Sequence, residues 1–159
     1  MNNTVWFQKY KNDPYLKKSK CEKYRSRSAY KLIEIQEKYK LFKKGMLVID
    51  LGSSPGGWSQ VLKKHLGECG TIIANDILHM EPIEKVKFIQ GNFNEKRIYQ
   101  KLIFETKNNP INWIISDISP KISGNTTTDQ INITLLTKLI LRRFYKKIEK
   151  NGGFFSIFL

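Results

Sequence analysis

Short apolar segments alternate with segments of helical periodicity along this chain, and this alternation restricts the possible folds more than any other feature. The apolar segments have the length and composition of buried strands, and they lie at 46–50, 71–74, 86–90, 111–116 and 154–159. Helical periodicity is found at 28–40, 58–65, 95–106 and 128–150. The pattern predicts an α/β fold, a mostly parallel, Rossmann-like sheet with helices on both faces.

The length of the chain fits one domain. A chain of 159 residues buries a substantial core but is too short for two comfortable domains. We therefore predict a single domain over 1–159, made of a basic N-terminal arm at 1–27 and a Rossmann-like core at 28–159. Aromatic residues make up 12% of the chain and hydrophobic residues 40%, which excludes a disordered composition.

Small and polar residues follow the predicted strands. Ligands of doubly wound sheets bind outside the carboxyl ends of the strands, so these loops should face one crevice. The loops read GSSPGG at 52–57, ND at 75–76, GN at 91–92 and SDISP at 116–120. In the first loop, Gly52, Ser53, Gly56 and Gly57 would let a large ligand approach the backbone. An ordinary tight strand–helix turn is the alternative interpretation of that loop alone.

Three further side chains indicate the kind of ligand. Asp76 is placed to accept hydrogen bonds from two ribose hydroxyls, Asn92 offers amide groups to an adenine edge, and Trp58 offers an apolar wall. The first loop lacks the GxGxxG spacing of dinucleotide-binding proteins and the GKS or GKT ending of a P-loop. A nicotinamide dehydrogenase and an NTPase are therefore disfavoured. An adenosine ligand without a pyrophosphate fits better, and S-adenosylmethionine is the first choice.

Positive charge is concentrated towards the N-terminus. The formal net charge is +14, and residues 1–44 hold 13 Lys/Arg against four Asp/Glu. A basic segment with interleaved aromatic residues is typical of proteins that bind a polyphosphate partner, most often nucleic acid. A solvated basic face on a lysine-rich chain is the alternative.

Other features exclude several classes of protein. Cys21 and Cys69 lie far apart, and they predict reduced thiols in a reducing compartment: the cytoplasm, the nucleus or nucleolus, or an organelle such as the mitochondrion. Neither these cysteines nor His65 and His79 form a ligand set, so no metal is expected. No apolar run has the length of a membrane span, so we expect no membrane association. We also expect a monomer.

The chain carries a series of segments that together resemble one protein family. They are RSRSAYKLIEI at 25–35, LFKKGMLVIDLGSSPGGWSQ at 41–60, GTIIANDILHMEPI at 70–83, FIQGNF at 88–93, IISDISPKISG at 114–124 and NGGFF at 151–155. In this order they resemble the FtsJ-type ribose 2′-O-methyltransferases of RNA, over essentially the whole chain. The resemblance implies a class I methyltransferase fold with S-adenosylmethionine held by Gly56, Trp58, Asp76, Asn92 and Asp117. The family usually has aspartate at the place of Asn92.

The family's catalytic constellation is Lys-Asp-Lys-Glu, and this chain matches it in part. Lys31, in SAYKL, fits the first lysine, and Asp117, in SDISP, fits the aspartate. Taken alone, Lys31 would be an ordinary surface lysine and Asp117 a turn residue, so their place in matched motifs carries the assignment. By count from the glycine turn at 151–153, the second lysine, which is the base in the family, corresponds to Phe158.

The family's glutamate would lie beyond Leu159. We expect that the sequence is incomplete at its C-terminus, without the family's last strands, because Phe158 and Leu159 would end the sheet in mid-strand. The alternative is an inactive relative that binds RNA and the cofactor without catalysis.

RNA binding is expected from the arm and the first helix. The expected contacts come from Lys9, Lys17, Lys18, Lys20, Lys23, Arg25 and Arg27, with Lys121 as a further phosphate contact. The tyrosines of the arm are available to stack on bases, and we expect some aromatic residues to pack on the domain while most cations point outward. The segment at 13–32 favours ribosomal RNA of the large subunit over transfer RNA.

Overall fold

The computed structural model describes residues 14–118 and 123–157, with the backbone alone at residues 16, 17 and 20. The helices of this part of the chain are α1 (Pro14–Cys21), α2 (Ala29–Tyr39), α3 (Gly57–Leu66), α4 (Lys96–Glu105) and α5 (Thr126–Phe144). The strands are β1 (Leu47–Leu51), β2 (Thr71–Asp76), β3 (Val86–Gln90), β4 (Ile111–Ser116) and β5 (Ile148–Ser156). A 3₁₀ turn at Tyr145–Lys147 joins α5 to β5.

The strands form one parallel sheet in the order β3-β2-β1-β4-β5. The buried strand β1 lies in the centre, where Ile49 is registered with Ile73 of β2 on one side and with Ile114 of β4 on the other. The strand order reverses between β1 and β4, which makes this the topological switch point of a doubly wound sheet. The predicted α/β, Rossmann-like fold class is confirmed.

Successive residues of β1 face opposite layers of helices, as the two-residue repeat of a strand requires. Leu47, Ile49 and Leu51 pack in one core with side chains of α4 and α5. Val48 packs in a second core with side chains of α2 and α3. Each fully buried large apolar side chain contributes about 2 kcal/mol, so the two cores together hold the loops at the edge of the sheet in place.

The structure corrects the predicted boundary between the last helix and the last strand. Helix α5 ends at Phe144 instead of continuing to 150, and β5 begins at Ile148 instead of 154. Both Phe144 and Ile148 fit a helical pattern, because they are one helical turn apart, yet Ile148 pairs with Ile111 of β4. The predicted glycine turn at 151–153 therefore lies within β5, and the predicted end of that strand at 158–159 lies outside the described residues.

The glycines of β5 belong to an irregularity in its pairing with β4. The register shifts between Ile111 and Trp113, so that Trp113 is paired with Gly153. A Cβ atom on Gly153 would lie 2.5 Å from the ring atom Cζ3 of Trp113. Glycine is required at this position because any side chain would displace the indole.

The described part of the N-terminal arm is helical over α1. Residues 1–13, with Lys9, lie outside the described residues. Over 14–118 and 123–157, no helix is both long and apolar enough to cross a membrane.

Candidate active site

The loops at the carboxyl edge of the sheet surround a cavity of about 500 Å³. It is formed by the loops that follow β1, β2, β3 and β4, together with one side of α5. The lining residues are Gly52, Ser54, Asn75, Asp76, Ile77, Leu78, Gly91, Asn92, Phe93, Asn94, Asp117, Ile118, Leu136 and Leu139. The prediction that the four loops face one crevice is confirmed, and the volume is typical of a cofactor site.

Gly52 lies where the loops after β1 and β4 meet. Its φ of +76° is in the left-handed region, and a Cβ atom there would lie 2.6 Å from Cγ1 of Ile118. The backbone N–H of Asp117 donates to the carbonyl of Leu51 at 3.2 Å, which joins the same two loops. Glycine at position 52 therefore brings Asp117 close to the first loop, besides leaving the cavity open.

The carboxylate of Asp76 is fixed at the cavity by two backbone donors. The N–H of Ser54 donates to Oδ2 at 2.9 Å, and the N–H of Leu78 donates to Oδ1 at 2.9 Å. A carboxylate oxygen has room for a further hydrogen bond, so this side chain can still accept two from a ligand. The hydroxyl of Ser54 also donates to the carbonyl of His79 at 3.0 Å, which joins the loops after β1 and β2.

Asn92 lies at the exposed rim of the cavity, in the loop after β3. Its Oδ1 accepts a hydrogen bond from the backbone N–H of Asn94 at 2.9 Å. One lone pair of that oxygen and the whole NH₂ group therefore remain for a ligand. Nearby, the side chain of Asn75 donates to the carbonyls of Ile89 and Gly91, which fixes this loop to β2.

The apolar walls of the cavity were missed by the sequence analysis. Ile77 and Leu78 follow Asp76 directly, and they are exposed by 66% and 63% while lining the cavity. Leu136 and Leu139 line it from α5. Exposed apolar side chains grouped at a cavity are typical of a ligand site. The sequence signal for them was the apolar pair placed directly after the acidic residue of β2.

The prediction that the Trp58 indole forms a wall of the ligand site is wrong. Trp58 is 2% exposed and packs in the core with α2, and its Nε1 donates to the carbonyl of Ser28 at 2.9 Å. A tryptophan at the start of a helix faces either the ligand or the core, and the pattern alone did not distinguish these.

Of the other predicted residues of the first loop, Gly52 lines the cavity, whereas Ser53, Gly56 and Gly57 do not. Ser53 is buried, and within the described part of the chain its hydroxyl has no hydrogen-bond partner. Gly56 and Gly57 lie against the segment before α2, since a Cβ atom on Gly57 would clash with Oγ of Ser26 and one on Gly56 would lie 3.3 Å from Nη1 of Arg25. The space that these two glycines leave is filled by side chains of the protein and not by a ligand.

Asp117 and Lys31, the predicted catalytic pair, lie close enough to interact. Burial raises the pKa of the half-buried Asp117, while the charge of Lys31 and a hydrogen bond from the hydroxyl of Ser28 oppose this rise. The hydroxyls of Ser28 and Ser26 are 2.7 Å apart. Ser28, directly before α2, and Lys31, in the first turn of α2, thus place a hydroxyl and a cation at Asp117 in the loop after β4.

A third acidic side chain, Asp50, lies inside the sheet near the cavity. Asp50 is fully buried, and burial raises its pKa to about 7, with smaller contributions of the same sign from the carboxylates of Asp117 and Asp76. The hydroxyl of Ser59 donates to its Oδ2 at 2.7 Å and opposes that rise. In the described residues its Oδ1 has no partner.

The described cations of the arm differ in their surroundings. Lys18, Lys23 and Arg27 are exposed, and Lys18 pairs with Glu22 at 3.8 Å. The side chains of Lys17 and Lys20 are not described, and Lys121 lies outside the described residues. Arg25 is half-buried and donates to three backbone carbonyls. This corrects the prediction for Arg25, because its guanidinium is engaged within the protein.

The tyrosines next to these cations pack on one another. Tyr30 contacts Tyr15 with ring centroids 5.5 Å apart and Tyr24 with centroids 5.7 Å apart. Lys18 lies over the ring of Tyr30 at 4.8 Å and Lys64 over the ring of Tyr24 at 4.4 Å. Of the described aromatic residues of the arm, Tyr24 is therefore packed on the domain, while the cations around it remain at the surface.

A comparison with known families decides where the chain belongs. Residues 24–158 match the model of the FtsJ-like methyltransferases. The chain belongs to this family. Among curated FtsJ-like relatives, the ribosomal RNA large subunit methyltransferase E of Acinetobacter baumannii is 43% identical over 153 residues, which are 96% of this chain and 71% of that protein. The enzyme of the same name from Francisella tularensis is 44% identical over 94% of this chain and 72% of its own.

Solved structures support the fold of this FtsJ-like chain. A ribosomal RNA methyltransferase from Plasmodium falciparum matches with a TM-score of 0.75 and 33% identity, over 82% of this chain and 76% of that one. MycE, a methyltransferase solved in complex with Mg and SAH, matches with a TM-score of 0.55 at 14% identity, over 78% of this chain and 30% of that one. The latter likeness concerns the fold alone. The residues described for our chain include no group of three or more His, Cys, Asp or Glu that could hold a metal ion.

Proposed function

We propose that this chain transfers the methyl group of S-adenosylmethionine to a ribose 2′-hydroxyl of RNA. The observation that carries the proposal is the meeting of Asp76, Asn92 and Asp117 around one cavity, with Lys31 beside Asp117. Large-subunit ribosomal RNA is the substrate that we favour over transfer RNA, because the relatives from Acinetobacter and Francisella carry that substrate in their names.

The residues at the cavity fit an adenosine cofactor. The Asp76 carboxylate would accept hydrogen bonds from the ribose hydroxyls. Asn92 would bind the adenine edge through its NH₂ group and the remaining lone pair of its amide oxygen. Ile77 and Leu78 would cover the faces of the base.

When bound, the cofactor would supply a methyl group on a sulfonium, which is already a good leaving group. The hydroxyl proton of the ribose would pass to water as the methyl group is transferred and the neutral thioether leaves. The task of the protein is then to align the acceptor oxygen and to stabilise its developing negative charge. Lys31 would do this, since its ammonium can donate a hydrogen bond to the ribose oxygen. Asp117 would orient Lys31, and the hydroxyl of Ser28 would keep Asp117 ionised and in position.

The exposed cations Lys18, Lys23 and Arg27 would bind RNA phosphates next to this cavity. The expected contacts of Lys17, Lys20 and Lys121 remain part of the proposal. The second candidate function is an RNA- and cofactor-binding module without methyl transfer. It is favoured by one sequence observation, the phenylalanine at position 158.

The first test is calorimetric binding of S-adenosylmethionine to the unaltered chain and to Asp76→Ala. Loss of two charge-assisted hydrogen bonds should raise the Kd about 100-fold, whereas Glu84→Ala, which removes an exposed carboxylate from the same loop, should leave it unchanged. Equal affinities of all three proteins, or no binding at all, would contradict the cofactor assignment.

Methyl transfer is then measured with radiolabelled cofactor on ribosomal and transfer RNA transcripts. A product that resists alkaline cleavage next to the labelled nucleotide identifies the 2′-oxygen as the acceptor. Lys31→Ala should abolish transfer without changing the cofactor Kd. Tight cofactor and RNA binding without transfer by the unaltered protein would favour the binding module instead.

A further inference from the structure

Arg25 has the contacts of a structural connection rather than those of a phosphate-binding side chain. Its Nη1 donates to the carbonyl of Pro55 at 3.3 Å and to that of Glu81 at 2.5 Å, and its Nη2 donates to the carbonyl of Pro82 at 2.9 Å. Pro55 belongs to the loop after β1, and the other two residues belong to the loop after β2. One guanidinium therefore joins two separate loops of the cavity.

The backbone of Arg25 is fixed as well. Its N–H donates to Oε1 of Gln60 at 2.8 Å, and Nε2 of the same glutamine donates to the carbonyl of Lys23 at 3.0 Å. Gln60 lies in α3. The arginine is thus held by the helix that begins at the first loop, and its side chain reaches from this fixed point across both loops.

The first loop leaves room for this side chain. Gly56 has a φ of +115°, and a Cβ atom there would lie 3.3 Å from Cδ and Nη1 of Arg25 and 2.7 Å from Cδ1 of Ile83. A larger residue would push the guanidinium and Ile83 away from the loop. The positive φ and the closeness of Ile83 explain the glycine, and the absence of a side chain also leaves space for Arg25.

The same two loops are joined a second time at the cavity itself. There the N–H of Ser54 donates to Asp76 and the hydroxyl of Ser54 donates to the carbonyl of His79. We propose that Arg25 is a positioning residue of the cofactor site, which holds the two loops together so that Asp76 keeps its hydrogen bond with Ser54. This inference rests on the proposed function, because it assigns a role towards the same cofactor.

Lysine cannot replace arginine in this role. The planar guanidinium presents several donors in a fixed fork, whereas an ammonium is a single point of charge on a flexible stem. A contact with RNA phosphate would largely survive Arg25→Lys, since the charge is kept. A connection to three carbonyls in two loops would be lost in Arg25→Lys almost as fully as in Arg25→Ala.

The experiment compares Arg25→Lys and Arg25→Ala with Arg97→Ala, which removes an exposed arginine from α4. Hydrogen exchange is measured at the amides of Ser54 and Leu78, the two donors to Asp76, without any cofactor. The Kd of S-adenosylmethionine and the Kd of an RNA transcript are measured on the same samples. Arg25→Lys keeps the test valid if Arg25→Ala does not fold.

In each Arg25 variant, we expect the exchange of both amides to accelerate about tenfold and the cofactor Kd to rise about tenfold. The exchange rates and both Kd values of Arg97→Ala should stay unchanged, and so should the RNA Kd of Arg25→Lys. Exchange rates and a cofactor Kd of Arg25→Lys within twofold of the unaltered protein would overturn the proposal. A fall in RNA affinity alone, with unchanged exchange rates and cofactor Kd, would mean that Arg25 contacts RNA phosphate and does not position the loops. If the unaltered protein binds no cofactor, the proposed function fails, and the exchange rates alone decide whether Arg25 holds these loops.

Discussion

The buried carboxyl of Asp50 should make the stability of this protein fall as the pH rises. Burial raises its pKa from the usual 3.8 to about 7 in the folded state. Between these two values the folded chain binds a proton at this site that the unfolded chain has lost, so the free energy of unfolding decreases with increasing pH. The stabilisation is fully present below pH 4 and is lost as the pH passes 7.

Asp50→Asn removes this titration with almost no change in shape, and its amide oxygen can still accept the hydrogen bond from Ser59. Each pH unit of unequal proton binding corresponds to 1.36 kcal/mol, so from pH 5 to pH 8 the variant should gain about 3 kcal/mol relative to the unaltered protein. The NH₂ group of the asparagine adds an unpaired donor at every pH, which cancels in this difference.

The assay is urea denaturation of both proteins at pH 5 and pH 8, followed by circular dichroism. Other titrating groups contribute equally to both proteins, so the difference isolates position 50. Parallel pH profiles of the two proteins would refute the reasoning, because they would mean that Asp50 is charged in the folded state at both pH values.

Two further substitutions test contacts of the segment before α2. Ser28→Ala should raise the pKa of Asp117, because it removes a hydrogen bond that lowers it; a carbon-13 titration of that carboxyl measures the shift, and an unchanged midpoint contradicts the contact. Trp58→Phe should destabilise the fold by about 1–3 kcal/mol, through the lost hydrogen bond to Ser28 and a cavity in the core. The Kd of Trp58→Phe for S-adenosylmethionine should stay the same. A large change in this Kd would mean that the indole contacts the ligand.

The sheet and the positions of its loops could be predicted because buried strands have a simple periodicity. The apolar runs at 86–90 and 111–116 coincide with β3 and β4, and the side chains that follow the strands, Asp76 among them, meet at one cavity. The boundary at 144–148 could not be predicted in this way, because the spacing of Phe144 and Ile148 fits a helix while pairing with β4 makes Ile148 part of a strand.

The details of the site depended on contacts between distant segments, which periodicity does not contain. The charge of Arg25 predicts an RNA contact, although its carbonyl partners lie in loops 30 and more residues further along the chain. The sequence predicts Trp58 as an apolar wall of the ligand site, although its indole donates to the carbonyl of Ser28. Glycine at position 57 is likewise explained by a distant segment, because a Cβ atom there would clash with Oγ of Ser26.

The tyrosine cluster of Tyr15, Tyr24 and Tyr30 affects how a polyanion would be captured. It joins α1 to α2 and places Lys18 and Lys64 over aromatic rings, so these ammonium groups have a restricted set of positions before any partner arrives. A preorganised array loses less conformational entropy on association than a flexible basic tail does. Binding to this surface should therefore show a small heat-capacity change, without the signature of a segment that folds on contact.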